Sequence, residues 1–121
     1  MQGHRDLKAW RESMSLVLDI YRGTRAFPRE ELYGLTSQMR RAAVSIPSNL
    51  AEGHGRGSVR ELRQFVSNAR GSVLELQTQL EIARGLEYVT EREFRSLFEK
   101  AGNIARMLTG LRDWCAKREH R

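Results

Sequence analysis

A chain of 121 residues is long enough to bury a sizeable core without disulfides or a structural metal, so residues 1–121 are read as a single domain. One cysteine, Cys115, excludes an intrachain disulfide, and the absence of a signal-peptide core in MQGHRDLKAW or of any ~20-residue apolar run leads us to expect a cytoplasmic protein without a membrane span. The formal charge of +6, with 18 of the 21 basic residues arginine, points to an acidic partner, nucleic acid above all, because a guanidinium can grip phosphate with two donors at once; the bland alternative is an arginine-biased solvated surface.

In chain order, apolar residues recur at alternating steps of three and four, the spacing of helices packed in a bundle. Leu7, Trp10, Met14, Val17 and Tyr21 mark a first helix from about Asp6 to Arg22, interrupted by Gly23 and Pro28. After the FPREELYG connector a second helix is expected, with Thr36 as N-cap, Met39, Ala43, Ile46 and Leu50 inward, and Gly53 as its end. Pro47 inside it removes the donor for the Ala43 carbonyl and predicts a kink, which serves wrapping of neighbours rather than a binding surface. Ala42, Ala43, Ser45, Ser48 and Ala51 around it permit close backbone approach, with Ser45 or Ser48 available to the freed polar groups.

The third helix, from about Ser58 to Leu86 and roughly 43 Å long at ~1.5 Å per residue, has the clearest register: Leu62, Val66, Ala69, Val73, Leu76, Leu80 and Ala83, with Phe65 just outside it and Gly85 near the end. Ser58 with Glu61, and Thr90 with Glu93, form capping boxes at the starts of the third and fourth helices. The fourth continues through Phe94, Leu97, Ala101, Ile104, Leu108, Leu111 and Cys115, a core spacing that makes Cys115 a packed residue rather than a reactive thiol. These segments predict an all-α, antiparallel up-and-down four-helix bundle. Leu16, Ile20, Phe65, Ile82, Phe98 and Trp114 fall outside the seams, and helices apolar on a second side usually meet another chain, so a homo-oligomer is expected.

Charge concentrates in one stretch, where Arg40, Arg41, Arg56, Arg60, Arg63 and Arg70 face only Glu52 and Glu61. Arg56, Arg63, Arg70 and Arg84 fall on a seven-residue repeat with Gln77 at the missing step, and from Arg63 onward they line a stripe beside the core seam. Such a stripe suits phosphates, each neutralised charge steepening the salt dependence of binding. It equally suits inter-subunit ion pairs with Glu75 or Glu81, exposed pairs contributing about 0–1 kcal/mol each. Arg40 and Arg41 point about 100° apart and so do not share one role. The candidate nucleic-acid-binding residues are therefore Arg40, Arg41, Arg56, Arg60, Arg63, Arg70 and Arg84, without a base-stacking platform, since few exposed aromatics are interleaved with them.

Gly53–Gly57, GHGRG, leads into the amino terminus of the third helix, where backbone donors would hold a phosphate with Arg56 and Arg60; a flexible turn is the plainer reading, and the lysine of a nucleotide-binding loop is missing. Asn49 and Glu52 share a helix face, either as a ligand-binding pair or, the preferred reading, as a buried hydrogen-bonded pair. His54 lacks metal-ligand partners, with His4 and His120 at ends expected to be disordered, so neither metal nor cofactor is expected. Glu30 with Glu31, and Glu91 with Glu93, sit at helix starts where capping explains them, and without a nucleophile motif no catalytic residue is assigned.

Three stretches, DLKAW (Asp6–Trp10), YGLTSQMRRAAVSIPSNLAEGHGR (Tyr33–Arg56) and FVSNARGSVLELQTQLEIARGLEYV (Phe65–Val89), resemble the four-helix-bundle proteins encoded within intervening sequences of bacterial 23S rRNA genes. That family also includes accessory proteins of diversity-generating retroelements. Leu50 stands where the family often has isoleucine, a change that keeps the side chain apolar. The resemblance covers nearly the whole chain and implies the same bundle, a ring-shaped pentamer and a nucleic-acid-linked role without established catalytic chemistry. The expected function is a non-catalytic oligomer that binds structured RNA, more readily than DNA, or a nucleoprotein partner, which in the retroelement branch is a reverse transcriptase with its template RNA. The alternative is an assembly module that recruits protein, its arginines serving subunit interfaces.

Overall fold

The computed structural model describes residues 3–119; His120 lies outside the described residues. Its helices are α1 (Lys8–Gly23), α2 (Leu35–Gly55), α3 (Val59–Gly85) and α4 (Glu91–Glu119), with short 3-10 turns at His4–Asp6 and Arg29–Glu31. α2 packs against α1 and α3, and α4 against α3 and α1, which closes an antiparallel up-and-down four-helix bundle. No strand occurs among the described residues.

The helix starts are set by local chemistry. At α4 the capping box is complete: the Glu93 N–H donates to Thr90 Oγ1 at 3.0 Å and the Thr90 N–H to Glu93 Oε1 at 2.8 Å. At α3 the Glu61 N–H donates to Ser58 Oγ at 3.2 Å, and the Ser58 hydroxyl in turn donates to the Glu61 carboxylate at 2.8 Å. α2 departs from expectation. Gly34 is its N-cap, Thr36 is buried inside the first turn without capping it, and the Glu31 carboxylate reaches forward to accept the Leu35 N–H at 3.2 Å. A carboxylate at that position also suits the helix dipole.

The core is built around α3. Leu62, Val66, Ala69, Val73, Leu76, Leu80 and Ala83 are all buried, as are Met39, Ala43, Ile46 and Leu50 of α2 and Phe94, Ala101, Ile104, Leu108 and Cys115 of α4. Leu97 and Leu111 are only partly buried against that cluster. Gln79 Oε1 is buried without a hydrogen-bond partner among the described residues, a cost of about 1–3 kcal/mol.

α1 reverses the expected register. Ala9, Ser13, Leu16 and Ile20 face the core, so Leu16 and Ile20 are not a second stripe, while Met14 and Tyr21 are each 39% exposed and Trp10 and Val17 are partly buried. Two apolar stripes lie side by side on this helix, and the bundle buries the one that runs through Ala9, Ser13, Leu16 and Ile20. The buried Ser13 hydroxyl is satisfied by donating to the Ala9 carbonyl. The helix begins at Lys8 because the chain first turns at His4–Asp6, where the His4 ring lies 5.0 Å from Trp10 in an edge-on contact; His4 is thus packed, not disordered.

α2 is helical straight through Pro47 and continues to Gly55, past the expected end at Gly53. Gly53 is instead a packing residue: a Cβ there would sit 2.6 Å from Phe65 Cβ, so only glycine lets α2 and α3 meet at this height. The Ser45 hydroxyl does not serve the carbonyl freed by Pro47; it bonds Ser72 Oγ across the helix pair at 2.8 Å. The turn into α3 is made at Gly57, whose φ of 83° favours glycine.

Candidate nucleic-acid interface

The arginine-rich stretch separates into guanidinia that hold the bundle together and guanidinia that are free. Arg40 Nε donates to Thr24 Oγ1 at 3.0 Å, and its guanidinium lies 4.7 Å from the Tyr21 ring centroid, tying α2 to the end of α1. Arg63 Nη1 bonds Glu119 Oε2 at 2.7 Å, Arg70 Nε bonds Thr109 Oγ1 at 3.0 Å, and Arg84 pairs with Glu91 at 3.4 Å while its guanidinium lies 3.8 Å over the Phe94 ring. The heptad stripe on α3 therefore lies along α4 and latches it at three heights. Arg84 also pairs with Glu81 within α3, at 3.8 Å.

Arg56 bonds Glu52 at 2.7 Å and stands over the Phe65 ring at 5.2 Å. The Glu52 carboxylate, through that hydrogen bond first, raises the Arg56 pKa and favours its charged form. Glu52 is thus committed to Arg56, and Asn49 turns inward to donate to the Ser45 carbonyl at 2.8 Å. The expected Asn49–Glu52 pair does not form, because each finds a partner one helical turn away. Of the seven candidate arginines, Arg41 and Arg60 have side chains without a hydrogen bond or ion pair among the described residues. Arg41 lines an outer groove of α2 and α3 with Gln38, Ser45 and Glu75; Arg60 lies in the first turn of α3.

Sequence periodicity passed over other free guanidinia. Arg25 and Arg29 lie in the connector between α1 and α2, and Arg92 and Arg95 in the first turns of α4, all without partners among the described residues. Arg92 and Arg95 also line an open α4 surface of mixed charge with Glu91, Ser96, Glu99, Lys100 and Asn103. The signal for them was present: the seam through Phe94, Leu97 and Ala101 puts Arg92 and Arg95 on the far side of that helix.

A second feature is apolar. The stripe that α1 leaves outward joins α2 to form a groove of about 320 Å³, lined by His4, Trp10, Met14, Val17, Val44, Pro47, Ser48 and Ala51. Pro47 and the small residues around it thus form its floor. Cys115 is fully buried, and burial pushes its thiol pKa up, away from the thiolate that reacts. Among the described residues no helix is long and apolar enough to cross a membrane, and no three acidic, histidine or cysteine side chains are grouped to hold a metal ion.

The model of the family described as 23S rRNA-intervening sequence protein matches residues 5–110. Among solved structures, the chain is similar to a protein with unknown function from the S23 ribosomal protein family of Bacteroides thetaiotaomicron VPI-5482, with a TM-score of 0.80 and 18% identity over 87% of this chain and 95% of that one. At that identity the likeness speaks for the fold alone. No curated protein matches the chain.

Proposed function

This chain belongs to the 23S rRNA-intervening sequence protein family, and on that footing we propose that it is a non-catalytic, cytoplasmic, single-domain bundle, assembled as a homo-oligomer of pentameric type, that binds structured RNA in preference to DNA. The observation that carries the reading is a group of guanidinia with neither a hydrogen bond nor an ion pair among the described residues, which includes Arg41 and Arg60, Arg25 and Arg29, and Arg92 and Arg95. On a chain of net charge +6, uncompensated arginines gain most by exchanging solvent for phosphate, because each such pairing releases condensed counterions. Arg40, Arg56, Arg63, Arg70 and Arg84 act behind that surface by fixing the helices that display it. A reverse transcriptase with its template RNA is the nucleoprotein form of the same partner in the retroelement branch.

The test is RNA and duplex-DNA binding across a salt series. Reversing Arg92 and Arg95, or Arg41 and Arg60, to glutamate should flatten the slope of log affinity against log salt by about 0.9 for each phosphate that is no longer neutralised and leave the unfolding midpoint in place. Arg63→Glu/Arg70→Glu should instead lower the unfolding midpoint. Failure of the unmodified protein to bind either nucleic acid at low salt would overturn the reading.

The α1/α2 groove favours a second reading, an assembly module that recruits protein. Met14→Glu/Val44→Glu puts charge into that groove, and light scattering after size exclusion reads the outcome. An oligomer that falls apart assigns the groove to subunit contacts, whereas an unchanged oligomer leaves it for a different protein.

A further inference from the structure

The chain has three tyrosines, and the fold treats one unlike the others. Tyr21 carries the Arg40 guanidinium on its ring, and Tyr88 donates its hydroxyl to Glu31 at 2.9 Å. Tyr33 is 93% exposed, with Leu32 beside it at 45%. An aromatic ring gains its stability from burial, so a bare one suggests that its cover comes from outside the chain.

The connector under Tyr33 is anchored. Phe27 is buried with its ring 5.3 Å from that of Tyr88. Glu31 accepts the Tyr88 hydroxyl on one carboxylate oxygen and the Leu35 N–H on the other, and the Leu32 and Gly34 N–H groups close back on the Arg29 and Glu31 carbonyls at 3.1 and 2.9 Å. Tyr33 therefore stands on a fixed turn and not on a loose loop. The two guanidinia on the connector, Arg25 and Arg29, have no partner among the described residues; of the two adjacent carboxylates Glu31 is engaged, while Glu30 makes no hydrogen bond or ion pair among the described residues, so the connector keeps two guanidinia against one carboxylate.

We infer that Tyr33 stacks on one unpaired base of a structured RNA, with Arg25 and Arg29 taking the phosphates on either side. A bare π-face on the same short connector as Arg25 and Arg29, whose guanidinia have no partner among the described residues, matches the chemistry of a nucleotide, whose base stacks irrespective of its identity while its phosphates are gripped by charge. A single ring makes no platform for a run of bases, but it can cap one base extruded from a loop. This inference rests on the nucleic-acid reading above and assigns it a contact outside the arginines found by periodicity.

The experiment uses the full chain and an RNA hairpin carrying one 2-aminopurine in its loop, with a blunt duplex of the same stem as control. Binding should quench the 2-aminopurine. Tyr33→Ala should abolish the quench and weaken hairpin binding about 5- to 100-fold, with duplex binding and the salt slope unchanged. Tyr33→Phe should behave like the unmodified protein, and Tyr33→Leu like Tyr33→Ala; Arg25→Ala/Arg29→Ala should flatten the salt slope. Full binding by Tyr33→Ala, rescue by Tyr33→Leu, or an equal loss on the duplex would each overturn the stack. An unmodified protein that binds no RNA removes the nucleic-acid reading and the stack together, whereas one that binds and is indifferent to Tyr33→Ala removes the stack alone. At 93% exposure the ring supports no packing, so these variants are expected to fold, which their urea midpoints check.

Discussion

Along α3 the residues that face the core run Val66, Ala69, Val73, Leu76, Leu80 and Ala83, each with no exposed surface, and α2 and α4 cover both flanks of the helix. Along α1 the core-facing residues begin with Ala9 and Ser13, while the larger Met14 and Tyr21 stay 39% exposed, Met14 in a groove that α2 leaves open and Tyr21 under the Arg40 guanidinium. Each helix has two neighbours, α2 and α4, but the longer α3 is covered along both flanks while α1 leaves one face open beside α2. A helix clamped on both flanks has one place for its apolar residues, and its register follows. A helix with less cover buries one stripe and shows the other, so its outward stripe marks where a further surface can be covered.

Truncating one residue from each stripe of α1 should give the largest difference. Leu16 is fully buried, and Leu16→Ala should cost about 2–5 kcal/mol, the range for a large-to-small change in a packed core. Met14→Ala, on the outward stripe, should stay within about 0.5 kcal/mol in a dilute, unassembled sample. Urea unfolding at matched protein concentration reads both. Equal losses would mean that both stripes are core and that the groove is not an open face.

The same contrast explains what was legible from the sequence. α3 carries one apolar stripe at strict heptad spacing, so counting found it, and the Thr90–Glu93 capping box was visible because both partners lie within one turn. In α1 periodicity could not choose between two adjacent stripes, since hydrophobicity favours the one with Trp10 and Met14 while packing favours the one with Ala9 and Ser13. Gly53 looked like a helix end because the neighbour that explains it, Phe65, lies in the next helix. The arginine stripe was correctly placed beside the α3 seam, yet its partners Thr109 and Glu119 lie far along the chain on α4. Spacing gives the face of a helix, not what covers it. The bare ring of Tyr33 was hidden for a similar reason: nothing local states that a tyrosine will find no partner.

A medium effect is expected where α2 meets α3. Alanine usually stabilises a helix interior over glycine by roughly 0.5–1 kcal/mol, and Gly71→Ala should do so because its Cβ would meet nothing within 4 Å. Gly53→Ala has to move Phe65 and should instead lose about 1–3 kcal/mol through overpacking. Chemical denaturation of the two single variants gives the sign directly. If Gly53→Ala stabilises as Gly71→Ala does, the clamped side of α3 has slack, and the contrast with α1 weakens.

The smallest effect concerns the connector end, which joins the α1 side of the bundle to the turn between α3 and α4. The hydrogen bond to Glu31 is the first cause that raises the Tyr88 pKa above the usual phenol value of 10.0. A group whose pKa is raised on folding contributes stability that is present below its unfolded pKa and is lost as pH rises through the folded one. Urea midpoints should therefore show an alkaline loss, beginning near pH 10, that Tyr88→Phe lacks, and near neutral pH the Phe variant should be the less stable of the two. Glu31→Gln should bring the phenol back toward its ordinary value, because the charged acceptor is gone. Should the unmodified protein and Tyr88→Phe keep parallel profiles through that range, the carboxylate does not hold the connector. Tyr33 would then ride on a mobile loop, and the ordering of that loop would oppose any stacking energy gained on binding.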